Sequence, residues 1–272
     1  MLRLRIITGL LLAAGVTAAV LWLPNPAFAA FTLLVMLIGA WEWARLVGFE
    51  AAPRAAFVVA FGLATLGVGW LVFQQAQLWP VVVGAFWWCV VPVLLAMYRP
   101  QGAPSFAARR NGLRVAAFLT LVPAWCALVL LHAERPVLVL FLILLIATAD
   151  SAAYFAGRRF GRVRLAPEIS PGKTREGLLG ALAAVLPFAL AGAWLLDVEL
   201  RLWAYFVLLC LLTALLSVAG DLFESVLKRE AGAKDSGAIL PGHGGILDRI
   251  DSLTAAAPVF LVALSWVGLA VR

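Results

Sequence analysis

The sequence predicts an all-α polytopic membrane protein of about nine transmembrane helices, with the N-terminus cytosolic and the C-terminus outside. Three observations carry that expectation. The first is composition. Of 272 residues, 64% are hydrophobic and only 13% are charged, whereas soluble domains hold roughly 45–50% apolar and about 25% charged residues. A soluble fold could not bury so much apolar surface, so lipid must cover part of it. The second is run length. A span needs about 20 apolar residues. Nine runs qualify, over residues 6–23, 27–47, 56–73, 78–97, 113–131, 137–155, 178–196, 202–226 and 253–271. The third is charge placement. Of 21 Lys and Arg, only Arg135, Arg201 and Arg272 fall on one side of this arrangement, and the other 18 fall on the opposite side. Such an excess marks the cytosolic face.

Taken in order, the first run follows Arg3 and Arg5 and precedes Ala27-Phe28-Ala29, which together imitate a secretory signal. The run exceeds the usual signal core of about 7–15 residues and a second run follows at once, so an uncleaved first helix is expected. Pro24, Asn25 and Pro26 form the tight turn between the first two helices. The whole of 1–272 reads as one integral membrane domain, in which 1–135 is mostly scaffold and 136–272 supplies catalytic helices and loops. Two long polar loops, near 157–177 and 227–252, lie on the cytosolic side. The net charge of +7 is spread between apolar runs. That excludes a nucleic-acid-binding domain and suits anionic headgroups and phosphates. Cys89, Cys126 and Cys210 lie singly in apolar runs, which excludes a zinc or disulfide framework and marks them as small buried residues.

Four acids, Glu42, Asp150, Asp221 and Glu224, sit near the cytosolic ends of apolar runs. Ionisable groups at such positions are costly and usually functional. Glu42 is also placed to pair with Arg45 one turn on. Asp221 and Ser225 share a helix face, with Glu224 nearby. Asp248 and Asp251 repeat the three-residue spacing where the last helix begins. Carboxylates from two helix ends suit a hard cation such as Mg²⁺, which takes oxygen ligands and keeps waters and substrate phosphates. Asp248 could instead cap its helix, but capping would not explain two acids together with Arg249.

Between them runs a polar, glycine-rich stretch, SVLKREAGAKDSGAILPGHGGILDRID, over residues 225–251. Lys228, Arg229 and Lys234 supply cations for phosphate oxygens. Gly242, Gly244 and Gly245 let backbone N–H groups approach an anion. His243 could donate to a phosphate, move a proton, or only stabilise its turn. Asp235 could bind metal or pair with Lys234. Upstream, SPGKTREG (170–177) is expected to open a helix at Pro171, placing Lys173 and Thr174 at a helix N-terminus where phosphates bind. Pro167 stands where a P-loop needs glycine. Interleaved cations, glycines and carboxylates suit phosphoryl transfer, in which the protein positions groups and neutralises charge.

The stretch 225–251 resembles the signature of the phosphatidate cytidylyltransferases, also called CDP-diacylglycerol synthases. Its specified positions are filled by Ser225, Lys228, Arg229, Lys234, Asp235, Gly237, Leu240, Pro241, His243, Gly244, Gly245, Asp248, Arg249 and Asp251. The resemblance extends to 150–177, through Asp150, Tyr154, Ser170, Lys173, Thr174 and Glu176. It implies transfer of a cytidylyl group from CTP to phosphatidic acid, with Mg²⁺ held by Asp221, Asp248 and Asp251 and a second cation left open. It implies phosphate contacts from Lys228, Arg229, Lys234 and His243. Lys173, Thr174, Ser225, Gly244 and Gly245 join the substrate-binding set; Asp235, Asp248 and Arg249 join Lys234 and His243 as catalytic candidates. The expected setting is the bacterial cytoplasmic (inner) membrane, with the site facing the cytosol, membrane lipid as a partner and a homodimer left open. A CTP-dependent polyprenol or phytol kinase, similar in its membrane core, is the alternative. A cation transporter fits less well, because it needs acids near the bilayer midplane.

Overall fold

The structure is a computed structural model. It describes residues 2–98, 106–240, 242 and 244–268, without the side chains of 2–6 and 106–109. The side chains of Arg3, Arg5 and Arg109, and all of Arg99, Pro241, His243 and Arg272, therefore lie outside the described residues.

Apolar helix formers dominate the chain, and a helix satisfies every backbone group from within when lipid offers no partner. Among the described residues the chain forms α1 (Leu2–Trp22), α2 (Asn25–Leu46), α3 (Ala51–Gln74), α4 (Trp79–Met97), α5 (Phe106–Glu134), α6 (Pro136–Phe160), α7 (Arg175–Leu195), α8 (Trp203–Glu230) and α9 (Leu247–Trp266). Each overlaps one expected run. Among the described residues, seven stretches, within or spanning α2 to α8, are long and apolar enough to cross a membrane. Large apolar side chains such as Leu63, Trp70, Phe86 and Leu208 point outward. An apolar exterior of this kind needs lipid rather than water around it. The chain is an all-α polytopic membrane protein.

Proline sets several helix starts, because its missing N–H would be unpaired there anyway. Pro26, Pro80 and Pro136 occupy such positions. Asn25, the first residue of α2, donates from Nδ2 to the Val129 carbonyl of α5 at 3.0 Å, which pins the start of α2 to the centre. α5 packs against α2, α4, α6 and α9, and its residues Leu121 to Leu131 are almost wholly buried. Cys126 and Cys210 are buried, as expected, but Cys89 is exposed on α4. One turn of helix separates it from Pro92, and it points to the outer face instead of the core.

α6 and α7 lie side by side along small residues. A Cβ at Gly180 would overlap the Ala156 methyl, and one at Gly177 would stand 2.8 Å from the Ala153 carbonyl oxygen. Only hydrogen in place of a side chain allows this approach.

Between these helices the structure departs from the sequence reading. Residues 170–174 do not open a helix. They form strand β2 (Ser170–Thr174), antiparallel to β1 (Arg164–Ala166), with Arg164 opposite Thr174. Pro171 is exposed in this two-stranded hairpin, where its lack of an N–H is tolerated at an edge. The helix starts only at Arg175, and Thr174 is its cap: the Gly177 N–H donates to Thr174 Oγ1 at 3.1 Å. Glu176 closes the hairpin base by accepting the N–H groups of Arg162 (3.0 Å) and Val163 (3.2 Å).

Candidate active site

A cavity of about 770 Å³ opens where α6, the hairpin, the end of α8 and the start of α9 meet. Its wall includes Asp150, Arg158, Arg164, Lys173, Asp221, Lys228, Asp235, Asp248, Arg249 and Asp251. Ten charged residues of this apolar chain thus meet at one space. Five carboxylates and five cations face each other there, so the cavity is polar but not strongly biased in sign.

Two ion pairs organise it. The hairpin carries Lys173 across to α8, where Nζ stands 2.7 Å from Asp221 Oδ2. Ser225, one turn below, donates to Asp221 Oδ1 at 3.4 Å, as the shared helix face predicts. Deeper in, Lys228 lies between Asp248 at 2.7 Å and Glu224 at 3.1 Å. The Asp248 side chain is only 6% exposed, and a buried charge survives only when paired and hydrogen-bonded.

Asp248 is held from every side. Its Oδ1 takes Lys228. Its Oδ2 accepts the N–H of Ser236 at 2.9 Å, the Ser236 hydroxyl at 2.9 Å and the Gly245 N–H at 2.8 Å. Burial alone would raise its pKa, but Lys228 and the backbone donors of Gly245 and Ser236 outweigh that and hold it at about 2.

Glu42 reaches this loop from α2, far away in sequence, and is 2% exposed. It accepts the Leu247 N–H at 2.8 Å, the Ile246 N–H at 3.1 Å and the Ser236 hydroxyl at 3.0 Å. The expected pairing with Arg45 is not what holds it. Arg45 donates instead to the Ser236 carbonyl. The start of α9 offers unpaired N–H groups and a positive dipole end, and Glu42 satisfies both.

This corrects the reading of the glycines. The Gly245 amide was expected to approach a phosphate; it serves the protein's own Asp248. A Cβ at Gly245 would stand 2.5 Å from Glu42 Oε2 and overlap the Ser236 hydroxyl. Gly244 adopts φ +79°, which its missing side chain permits, and its carbonyl accepts the Leu240 N–H. Neither glycine lines the cavity.

The remaining expected residues divide. Lys173, Thr174, Lys228, Asp235, Asp248, Arg249 and Asp251 line the cavity. Thr174 Oγ1 is already used as the α7 cap. Arg229 is exposed and off the cavity; its Nε donates to the Ile169 carbonyl of the hairpin at 3.3 Å. That contact braces the hairpin rather than a phosphate. Lys234 is exposed to the side of the cavity. His243 lies outside the described residues. Four residues were missed as site members: Glu42 in its anchoring role, Ser236, Arg158 and Arg164. Arg158 and Arg164 belong to a group of four arginines at 158, 159, 162 and 164, which a cytosolic charge excess by itself would explain.

For a divalent cation, the donor chemistry is present but not as a closed cage. Among the described residues no group of three His, Cys, Asp or Glu is gathered to hold a metal alone. Asp248 has both oxygens committed to Lys228 and the loop donors. Asp221 and Asp251, both half-buried, and the exposed Asp150 are further carboxylates on the cavity wall. Such a set fits Mg²⁺, which commonly uses one or two carboxylates and completes its shell from substrate phosphates and water.

Fold and site together define an integral membrane protein with a polar, charge-lined cavity among its helices. Comparison with known proteins sharpens the class. The model of the cytidylyltransferase family matches residues 3–267. The phosphatidate cytidylyltransferase of Pseudomonas aeruginosa is 41% identical over 270 residues, covering 98% of this chain and 97% of that protein. That of Haemophilus influenzae is 36% identical over 283 residues, covering 96% and 97%. That of Brucella suis is 37% identical over 264 residues, covering 94% and 90%. The chain belongs to the cytidylyltransferase family.

Proposed function

We propose that the chain transfers the cytidylyl group of CTP to phosphatidic acid, giving CDP-diacylglycerol and pyrophosphate. One observation carries the reading: a cavity lined by Lys173, Lys228, Arg158, Arg164 and Arg249 opens among helices whose outer faces suit lipid, in a chain that matches named phosphatidate cytidylyltransferases over nearly its full length. A lipid phosphate oxygen attacks the α-phosphorus of CTP. A new P–O bond forms, the bond to the β-phosphate oxygen breaks, and pyrophosphate leaves with the electron pair. The lipid phosphate is already anionic, so the step needs no strong base.

The chain's part is to position and neutralise. Lys173 is poised to exchange its Asp221 partner for a phosphate oxygen. Lys228, fixed by Asp248 and Glu224, presents a buried positive charge to the cavity. Arg158 and Arg164 line the rim beside exposed Tyr154 and are suited to the lipid phosphate. Asp221 and Asp251 would hold Mg²⁺, and Asp150 offers a carboxylate for a second cation. Bound there, Mg²⁺ would neutralise the triphosphate charge.

The same reading takes α1 and α9 as further spans, making nine. It sets the cavity on the cytosolic side of a bacterial inner membrane, as the 18 of 21 basic residues favour. Cytosolic CTP and a leaflet phosphate then reach one site. Purified protein given CTP, phosphatidic acid and Mg²⁺ tests it. Pyrophosphate and a CDP-lipid are expected. Formation of CDP and a lipid monophosphate from an added polyprenol or phytol would establish the kinase instead, and no turnover with any lipid would remove both.

A further inference from the structure

Ser236 stands between two carboxylates that come from opposite ends of the chain. Its single hydroxyl proton faces Glu42 Oε2 at 3.0 Å and Asp248 Oδ2 at 2.9 Å. Its backbone N–H also donates to Asp248, and its carbonyl accepts from Arg45. Glu42 further holds the Ile246 and Leu247 N–H groups, which fix where α9 begins and so where Asp248 points. Asp248 in turn fixes Lys228.

We propose that Glu42, together with Arg45 on the same helix, is a positioning residue for cytidylyl transfer: through Ser236 and the first turn of α9 it sets the Asp248–Lys228 pair. The first 135 residues then contribute to the reaction as well as to the scaffold. Three features separate this from a packing role. Glu42 is buried, and among the described residues its hydrogen bonds come from Ser236, Ile246 and Leu247 rather than from a cation. Those three partners lie on the loop and first turn that position Asp248. Gly237 and Gly245 leave space that the Glu42 carboxylate fills; a Cβ at Gly237 would stand 2.7 Å from its Cδ. A wrong side chain at position 42 therefore displaces the loop on both flanks of Ser236.

The proposal rests on the cytidylyltransferase reading, and one experiment separates the two. Full-length protein in detergent, with Glu42→Ala, Glu42→Gln or Ser236→Ala, is assayed for kcat and for KM of CTP. Equilibrium CTP binding counts the folded sites. Glu42→Ala is expected to lower kcat per binding site by on the order of 10- to 100-fold, the range seen when a partner behind a functional group is lost. KM for CTP should change much less. Glu42→Gln keeps the shape and one acceptor, so its kcat should fall between Ala and the parent. Should Glu42→Ala yield no binding sites, Glu42→Gln and Ser236→Ala decide, each with a several-fold loss of kcat per site expected. A purely structural Glu42 would lower the number of sites and leave kcat per site within about twofold in every variant, which overturns the proposal. Absence of turnover in the parent would instead overturn the reaction.

Discussion

Replacing Asp248 by Asn removes one negative charge and keeps the side-chain shape. The carboxylate now accepts four hydrogen bonds, from Lys228, the Ser236 N–H, the Ser236 hydroxyl and Gly245. An amide has one oxygen. If that oxygen serves the loop donors, its NH₂ faces the Lys228 ammonium, which then keeps only Glu224 at 3.1 Å. The energy can be worked from the proton equilibrium. Holding the carboxyl at about 2 instead of 3.8 corresponds to about 2 kcal/mol at neutral pH. The pKa is depressed in the fold, so this stability is present above about pH 4 and drains away as pH falls toward about 2. Thermal unfolding of parent and Asp248→Asn in detergent should show a gap of about 2 kcal/mol that is flat between about pH 8 and about pH 5 and narrows below about pH 4. Turnover should fall by at least about 100-fold while the protein still inserts, because the Lys228 charge is no longer fixed. A gap under about 0.5 kcal/mol together with near-normal turnover would refute the role given to this pair.

Gly245→Ala should cost about 1–3 kcal/mol by overpacking and lower turnover strongly, because its Cβ meets buried Glu42 and Ser236. Gly67→Ala, with open space around it, is the control; equal behaviour of the two in unfolding and turnover would contradict the packing described. Lys173→Met should raise KM for CTP by roughly 10- to 100-fold, the worth of a charge-assisted bond of about 1.5–3 kcal/mol. Arg229→Met, which removes a contact to the hairpin backbone, should stay within about threefold of the parent KM by the same scale. Steady-state kinetics compares them, and the reverse order would return Arg229 to the phosphate site.

Much of the fold was legible because lipid imposes a blunt requirement. A span must be long, apolar and helical, so every expected run overlaps an observed helix. The hairpin was not legible. Pro171 beside Gly172 is compatible with a helix start, and only the pairing of Arg164 with Thr174 reveals a strand. The cavity acids and Lys228 could be named from local spacing, since Asp221, Ser225 and Lys228 share one helix. Glu42 could not be given its role. Its partners are Ser236, Ile246 and Leu247, about 200 residues on, and two of them offer only backbone N–H groups. The signal was present in the residue type alone, as a carboxylate in an apolar run with no cation guaranteed to meet it. The glycines were read correctly as places of close approach, but the approaching anion belongs to the protein.

The small-residue seam between α6 and α7 has a consequence for catalysis. Asp150 lies on α6, and the hairpin that carries Lys173 is clamped at its base to the start of α7. With Gly180 against Ala156 and Gly177 against the Ala153 carbonyl, the two helix axes stand as close as backbones allow. The seam thus works as a gauge block: it sets the width of one side of the cavity by contact, without an adjustable side chain. A methyl at Gly180 would act as a spacer inserted in that gauge, moving the hairpin lysine away from Asp150 with no change to any charged residue.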